Sequence, residues 1–394
     1  MTLPNIPSED TLRTAQPTFG NPMNLSTRLR FWLFIFAAPA LAGCLDSASV
    51  SDTAPTTASV APCSTDGVVT AWCGYKNAED LVATPDGKFL LATGLGSLGE
   101  PYATEMTLIN LTTMANAPLQ VVMDSNSWGD PACTRTSTEF STHGMDLTER
   151  EDGRQMVAVT NHFPKETVEF FELESTEAGY QLIWRGCVES PTVESGARQP
   201  MFNDLALTSD GGFYTTEMYN LKLPFGDVLA AGLAGADSGQ VWSWNAEDGF
   251  QAIAGTEGGF PNGIVITNDE KTLFINYWFS GKTQKFDIAS GAIQATHLGG
   301  RADNLTMAEG SVWAAKHDMT ITEYLESCPA DATNCFLPFS IHELDTGDLQ
   351  EKRVWTLGSD TFGFATVATP VAGRVWLGTA HGDRVASFDI ASKP

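Results

Sequence analysis

Basic residues are scarce in this chain: 22 Lys and Arg stand against 48 Asp and Glu in 394 residues, a formal net charge of −26. That balance excludes a nucleic-acid binder, which needs a basic footprint, and a polybasic membrane patch. No Gly-x-Ser-x-Gly string occurs, so a serine nucleophile elbow has no support. The seven cysteines stand at 44, 63, 73, 133, 187, 328 and 335, without the spacing of a zinc finger. Long apolar runs are missing as well; the one near the N-terminus is short for a transmembrane helix. Gly (36) and Pro (20) are plentiful, and no helical period is evident, which predicts many turns between many short strands.

Arg28 and Arg30 precede the apolar run from Phe31 to Ala38, and Leu41-Ala42-Gly43-Cys44 follows. A charged segment, a short apolar run and a small-residue cleavage site make a secretory signal over residues 1–43, of normal length if the start is Met23. Leu41 to Cys44 resembles the bacterial lipobox, which implies a lipid anchor at Cys44, export to the bacterial cell envelope and no other membrane contact. Residues 44–65 are small and polar and read as a flexible tether to a domain over 66–394. With Cys44 assigned to lipid, six cysteines remain and allow 15 pairings. Proximity favours Cys63 with Cys73 and Cys328 with Cys335, leaving Cys133 with Cys187.

One pattern recurs six times: a pair of residues, mostly polar, then alternating apolar residues, a turn and further apolar runs. The pairs are Glu79-Asp80, His143-Gly144, Asn203-Asp204, Asn262-Gly263, Asp303-Asn304 and Phe364-Ala365. Three or four strands per unit, in six units, predict an all-β, six-bladed β-propeller. A strand from Val68 to Trp72 precedes the first unit and the chain stops on a third strand, so the N-terminal strand is expected to close the last blade. The first strand of each blade lines the channel, so the pairs converge on the axis from six directions. Four carboxylates and three carboxamides meet there, and no Lys or Arg holds an equivalent position. Buried carboxylates are costly without partners, and clustered carboxylate and amide oxygens suit calcium rather than zinc.

Set out in this order, Glu79-Asp80, Thr142-His143-Gly144, Asn161-His162 with Thr167 to Phe171, Asn203-Asp204, Pro261 to Ile264 and Asp303-Asn304-Leu305 resemble the paraoxonase arylesterases. The likeness extends more distantly to the regucalcin/gluconolactonase and strictosidine-synthase-like propellers. The resemblance implies a monomeric, calcium-dependent hydrolase of small-molecule carboxylic esters or lactones with two ions. The catalytic ion would take Glu79, Asn203, Asn262, Asp303 and Asn304; the structural one would take Asp80, Asp204 and the carbonyl of Met145. It also implies a dyad in which His143 deprotonates water and His162 orients it, general-base logic that needs a neutral imidazole. His317 matches a further pocket histidine, while His297, His342 and His381 read as structural or surface residues. The inserts Leu221 to Ser238 and Asp318 to Pro338 do not match the family, so specificity is not carried over. Two other functions are compatible with the sequence: a sugar-lactone hydrolase of gluconolactonase type with fewer ions, and a non-catalytic binding module of the envelope.

Overall fold

Strand-forming alternation recurs through the chain, and the computed structural model resolves it into six antiparallel blades. It describes residues 61–98, 101–329, 332–358 and 360–393. The expected signal, the lipobox with Cys44 and most of the tether lie outside them. The chain enters as the hairpin β1 (Ser64–Asp66) and β2 (Val69–Cys73). The first blade follows as β3 (Leu81–Ala83), β4 (Phe89–Ala92), β5 (Thr107–Asn110) and β6 (Asn116–Pro118). The second holds β8 (Thr142–Glu149), β9 (Gln155–Asn161), β10 (Thr167–Thr176) and β11 (Gly179–Glu189), with β7 (Val121–Met123) added in parallel on β11. The third is β12 (Pro200–Leu207), β13 (Phe213–Asn220), β14 (Gly239–Asn245) and β15 (Gly249–Gly258). The fourth is β16 (Pro261–Ile266), β17 (Thr272–Tyr277), β18 (Lys282–Asp287) and β19 (Ala292–Leu298). The fifth is β20 (Arg301–Ala308), β21 (Ser311–His317), β22 (Phe339–Asp345) and β23 (Glu351–Leu357). The last is β24 (Ala365–Val371), β25 (Arg374–Thr379) and β26 (Arg384–Asp389), completed by β2 and β1.

Closure is as the sequence predicts: β2 pairs antiparallel with β26, Thr70 opposite Ser387 and Trp72 opposite Val385. Trp72 also packs on Trp376, ring centres 5.3 Å apart. The core lies between blades rather than at one centre. Phe170, Phe213 and Trp244 join the second and third blades, and Trp313, Trp355, Val375 and Phe388 join the fifth and sixth. The disulfides are Cys63–Cys73, Cys133–Cys187 and Cys328–Cys335, the pairing that proximity favoured, and they fit an exported protein.

The inserts depart from the all-strand reading. They carry α1 (Phe225–Leu233) and α2 (Ile321–Ser327), each too short to give a visible helical period. A reciprocal capping box between Thr320 and Glu323 starts α2. Both inserts join a second strand to a third, at the end of the blade where the first strand begins. They therefore sit on the same face as the axial polar pairs.

Closure by β2 makes a checkable prediction. A chain starting at Gly74 leaves β26 as an unpaired edge and exposes Trp376, so it should aggregate and lose its cooperative melting transition. A sharp, unshifted transition in that truncation, followed by circular dichroism, would show that the ring closes without the hairpin.

Candidate metal centre and histidine relay

Four of the six pairs do not simply begin strands; they lie where pairing to the second strand breaks register. The irregularities fall between Thr142 and Met145, Phe202 and Leu205, Pro261 and Ile264, and Ala302 and Leu305. A bulge of this kind redirects side chains and frees backbone groups. The freed carbonyls are taken by neighbouring blades: Thr160 Oγ1 donates to Asn203 O at 2.6 Å, Thr216 Oγ1 to Asn262 O at 2.5 Å, and Thr366 Oγ1 to Glu79 O at 2.6 Å. Asn276 Nδ2 donates to Asp303 O in the same way. These staples fix where the pair side chains point.

At the mouth of the channel the structure brings Glu79, Asn203, Asn262, Asp303 and Asn304 together, all buried. Four of their oxygens, Glu79 Oε2, Asn203 Oδ1, Asn262 Oδ1 and Asn304 Oδ1, have no hydrogen-bond partner. Their amide nitrogens are engaged: Asn304 Nδ2 donates to Glu79 Oε1 at 2.8 Å, and the Asn262 side chain bonds Asp303. Orphaned buried oxygens are rare and need a reason. Here they come from four different blades, with no Cys and no basic side chain in the set. That donor chemistry fits a hard, oxygen-loving divalent cation of the calcium class, which takes six to eight oxygens. Burial pushes the Glu79 carboxyl well above its ordinary range, and the charges of Asp303, Asp80 and Asp204 push it further. Burial likewise drives Asp303 up to about 8.

Beside this set runs a chain of three side chains. His143 Nδ1 lies 2.9 Å from His162 Nε2, and His162 Nδ1 lies 2.7 Å from Glu166 Oε2. Glu166 Oε1 is held by the backbone N–H of Phe202 at 2.8 Å. The carboxylate fixes the tautomers in sequence. His162 donates from Nδ1 to Glu166, so its Nε2 accepts, and His143 must donate from Nδ1. His143 Nε2 is left with its lone pair, 3.2 Å from Asn203 Nδ2 and 3.7 Å from Glu79 Oε1. Burial, and secondarily electrostatic repulsion from the neighbouring His162 ring, holds His143 well below the usual histidine range. Sequence reasoning named both histidines but missed Glu166, whose only signal is that it follows His162 by four residues in a loop. His317 also reaches the axis: Trp278 Nε1 donates to its Nδ1 at 3.1 Å, and its Nε2 lies 3.3 Å from Asp303 Oδ2. Phe364, the apolar member of the six pairs, stacks on it at 3.9 Å. Burial lowers His317 to about 3.

One layer deeper, Asp80 and Asp204 are joined by Asp146, which the pair pattern did not reveal. Asp146 lies two residues past Gly144, one step further along the same face of β8. Each of these carboxylates accepts its own following N–H and one from the next blade. Asp80 binds Met145 N at 2.7 Å, Asp146 binds Leu207 N at 2.8 Å and Asp204 binds Ile264 N at 2.9 Å. Met145 thus meets Asp80 through its N–H, whatever its carbonyl holds. These three acids border a cavity of about 510 Å³ that opens toward the opposite end of the channel. Burial raises Asp80 to about 7, Asp146 to about 6 and Asp204 well above its ordinary value.

The other histidines lie elsewhere. His297 Nε2 and His342 Nδ1 both approach Glu351 Oε1, at 2.9 and 3.0 Å, while buried Lys316 Nζ lies 2.8 Å from His297 Nδ1. His381 bonds the carbonyl of Ala332 at 2.6 Å. All three have structural partners.

The raised carboxyls carry a pH dependence. The metal-free folded chain keeps protons that the unfolded chain loses near pH 4. Its stability therefore falls as pH rises from about 4 toward the folded values, about 7 for Asp80 and about 8 for Asp303. In excess chelator the melting temperature should fall between pH 5 and pH 8, and added calcium should remove the fall by binding the ionised form. A chelated melting temperature that rises over this range would contradict the assignment.

No protein-family profile and no curated protein matches the sequence. Among solved structures, a luciferin-regenerating enzyme superposes with a TM-score of 0.50 at 11% identity, over 83% of this chain and 96% of that one. A candidate oxidoreductase (glucose dehydrogenase) from Thermus thermophilus gives a TM-score of 0.44 at 14% identity, over 80% of this chain and 97% of that one. At 11% identity the likeness to the luciferin-regenerating enzyme is one of fold, and the fold is the six-bladed β-propeller.

Proposed function

We propose that the chain is a calcium-dependent hydrolase of carboxylic esters or lactones, of the paraoxonase type that its sequence resembles. The carrying observation is the set of four orphaned oxygens, Glu79 Oε2, Asn203 Oδ1, Asn262 Oδ1 and Asn304 Oδ1, beside the lone pair of His143 Nε2. With Asp303, these residues would hold the ion, which when bound supplies polarisation of the substrate carbonyl and stabilisation of the oxyanion.

The chain's own groups do the rest. His143 Nε2 accepts a proton from a water as the water oxygen attacks the carbonyl carbon. The resulting imidazolium donates from Nδ1 to His162 Nε2, and Glu166 stabilises the pair from behind. When the carbonyl re-forms and the carbon–oxygen bond to the leaving group breaks, His143 returns the proton to the departing alkoxide. The acid product and the alcohol, or the opened hydroxy acid of a lactone, then leave through the mouth lined by the two inserts.

A gluconolactonase-type reading, with one ion, keeps a specific support. Asp80, Asp146 and Asp204 each take two backbone N–H groups, so the deeper layer is held together by the chain itself. Calcium stoichiometry separates the two readings: two ions favour the paraoxonase type and one the gluconolactonase type. Calcium binding without turnover of any ester or lactone would leave a binding module of the envelope.

His143→Gln should lower hydrolysis of phenyl acetate and simple lactones by about 10²- to 10⁴-fold with calcium content unchanged. Glu166→Gln should lower kcat less, by loosening the tautomer of His162. Since a base acts when unprotonated, wild-type activity should rise with pH along an acid limb below the ordinary histidine range, near 6.5, in keeping with the burial of His143. Retention of full rate and of the same limb in His143→Gln would move the base elsewhere.

A further inference from the structure

A groove of about 400 Å³ opens beside the axial centre and is bordered by Phe279, Arg301, His317, Asp318, Thr320 and Glu323. Arg301 stands directly opposite His317 in the pairing of β20 with β21. His317 in turn reaches Asp303, so the groove and the axial centre share a wall.

Arg301 is anomalous in its electrostatics. The chain carries a net charge of −26. Among the described residues, Arg135, Arg150, Arg154, Arg185, Arg198, Arg353 and Arg384 all lie within 4 Å of a carboxylate. Arg301 and Arg374 do not, and Arg374 donates twice to Ser387 instead. Arg301 uses only Nε, toward Met319 O at 3.3 Å, and lays its guanidinium over Trp278 at 4.9 Å. The two acids of the groove are already committed: Asp318 accepts from Ser340, and Glu323 accepts from the N–H and hydroxyl of Thr320. A partly desolvated guanidinium without an anion is costly. Its planar fork suits a carboxylate, and an aromatic face beneath it fixes its plane.

We propose that Arg301 forms an anion subsite, and that the substrate is an ester or lactone carrying a carboxylate, bound with the carboxylate on Arg301 and the scissile carbonyl at the axial centre. This rests on the hydrolase reading for the second half of the statement, not for the anion subsite itself.

The test uses two arms on the calcium-loaded protein. In the first, phenyl acetate is compared with monophenyl succinate. The wild type should favour the charged ester in kcat/KM, and Arg301→Gln should reduce the charged-to-neutral ratio roughly 10- to 100-fold, the scale of a hydrogen-bonded charge pair. Arg301→Lys should restore part of it. In the second arm, methyl succinate monoanion is titrated by calorimetry into the His143→Gln protein with and without Arg301→Gln, so that no turnover is needed. Weaker binding on loss of Arg301 supports the subsite even if neither ester is hydrolysed, which would sink the hydrolase reading alone. Hydrolysis of both esters at a ratio that Arg301→Gln leaves unchanged, with equal monoanion binding, overturns the subsite and spares the hydrolase.

Discussion

Crowding of negative charge on the axis, with no basic side chain to offset it, is the constraint that organises this propeller. Glu79, Asp80, Asp204 and Asp303 are all buried, and among the described residues none has a Lys or Arg within 4 Å. The ring makes room for them by alternation. The second member of each pair is Asp80, Gly144, Asp204, Gly263 and Asn304 in the first five blades. A Cβ on Gly144 would lie 2.4 Å from Asp204 Oδ1, and one on Gly263 would lie 2.6 Å from Asn304 Cα. Gly144 thus makes room for the Asp204 side chain and Gly263 for the backbone at Asn304, which is why His143 and Asn262 are followed by Gly and not by a third and fourth acid.

Two layers answer the same electrostatic problem differently. In the deeper layer, paired backbone N–H groups satisfy each carboxylate, one from its own strand and one that ties it to the next blade. In the mouth layer the amide nitrogens are taken, those of Asn262 and Asn304 by Asp303 and Glu79 and that of Asn203 by His143 and Met218, and the amide oxygens are left over. Net hydrogen bonds contribute about 1 kcal/mol each, but leaving a buried acceptor empty costs more than making one gains. The mouth layer is therefore the part of the channel for which a cation matters most, and the deeper layer is the part that can serve as scaffold. The relay lies on the mouth side, where His143 Nε2 faces the unsatisfied oxygens while Glu166 draws the proton order in the opposite direction.

The six-fold repeat was legible because each blade needs the same apolar alternation, and the axial pairs were legible because the repeat superposes them. Strand closure followed from counting: an extra strand at the start and a blade ending on its third strand. Other features carried no periodic signal. Asp146 is polar in a run that alternation marks as core, and only the curvature of the ring puts it beside Asp80. Glu166 sits in a loop, where a spacing of four residues has no geometric meaning. The placement of the pairs at register breaks was invisible too, since a bulge depends on hydrogen bonding to a second strand rather than on residue type. The helices α1 and α2 escaped because seven to nine residues span barely two turns.

The inserts separate what the ring fixes on the axis from what surrounds the mouth. The first strands are fixed by the ring: each must pack on two neighbours and point its polar pair inward. The connections from second to third strands have no such obligation, yet they rise on the same face and wall the mouth. Arg301 belongs to the constrained part by position, being two residues before Asp303, and to the free part by environment, since Met319 from the second insert and Trp278 from the fourth blade hold its guanidinium. It can be tuned by insert sequence without disturbing the oxygens on the axis. In a chain so rich in acid, a half-buried guanidinium with no carboxylate within 4 Å among the described residues, in a groove whose acids Asp318 and Glu323 bond other groups, is the feature of this wall on which the proposed ligand preference rests.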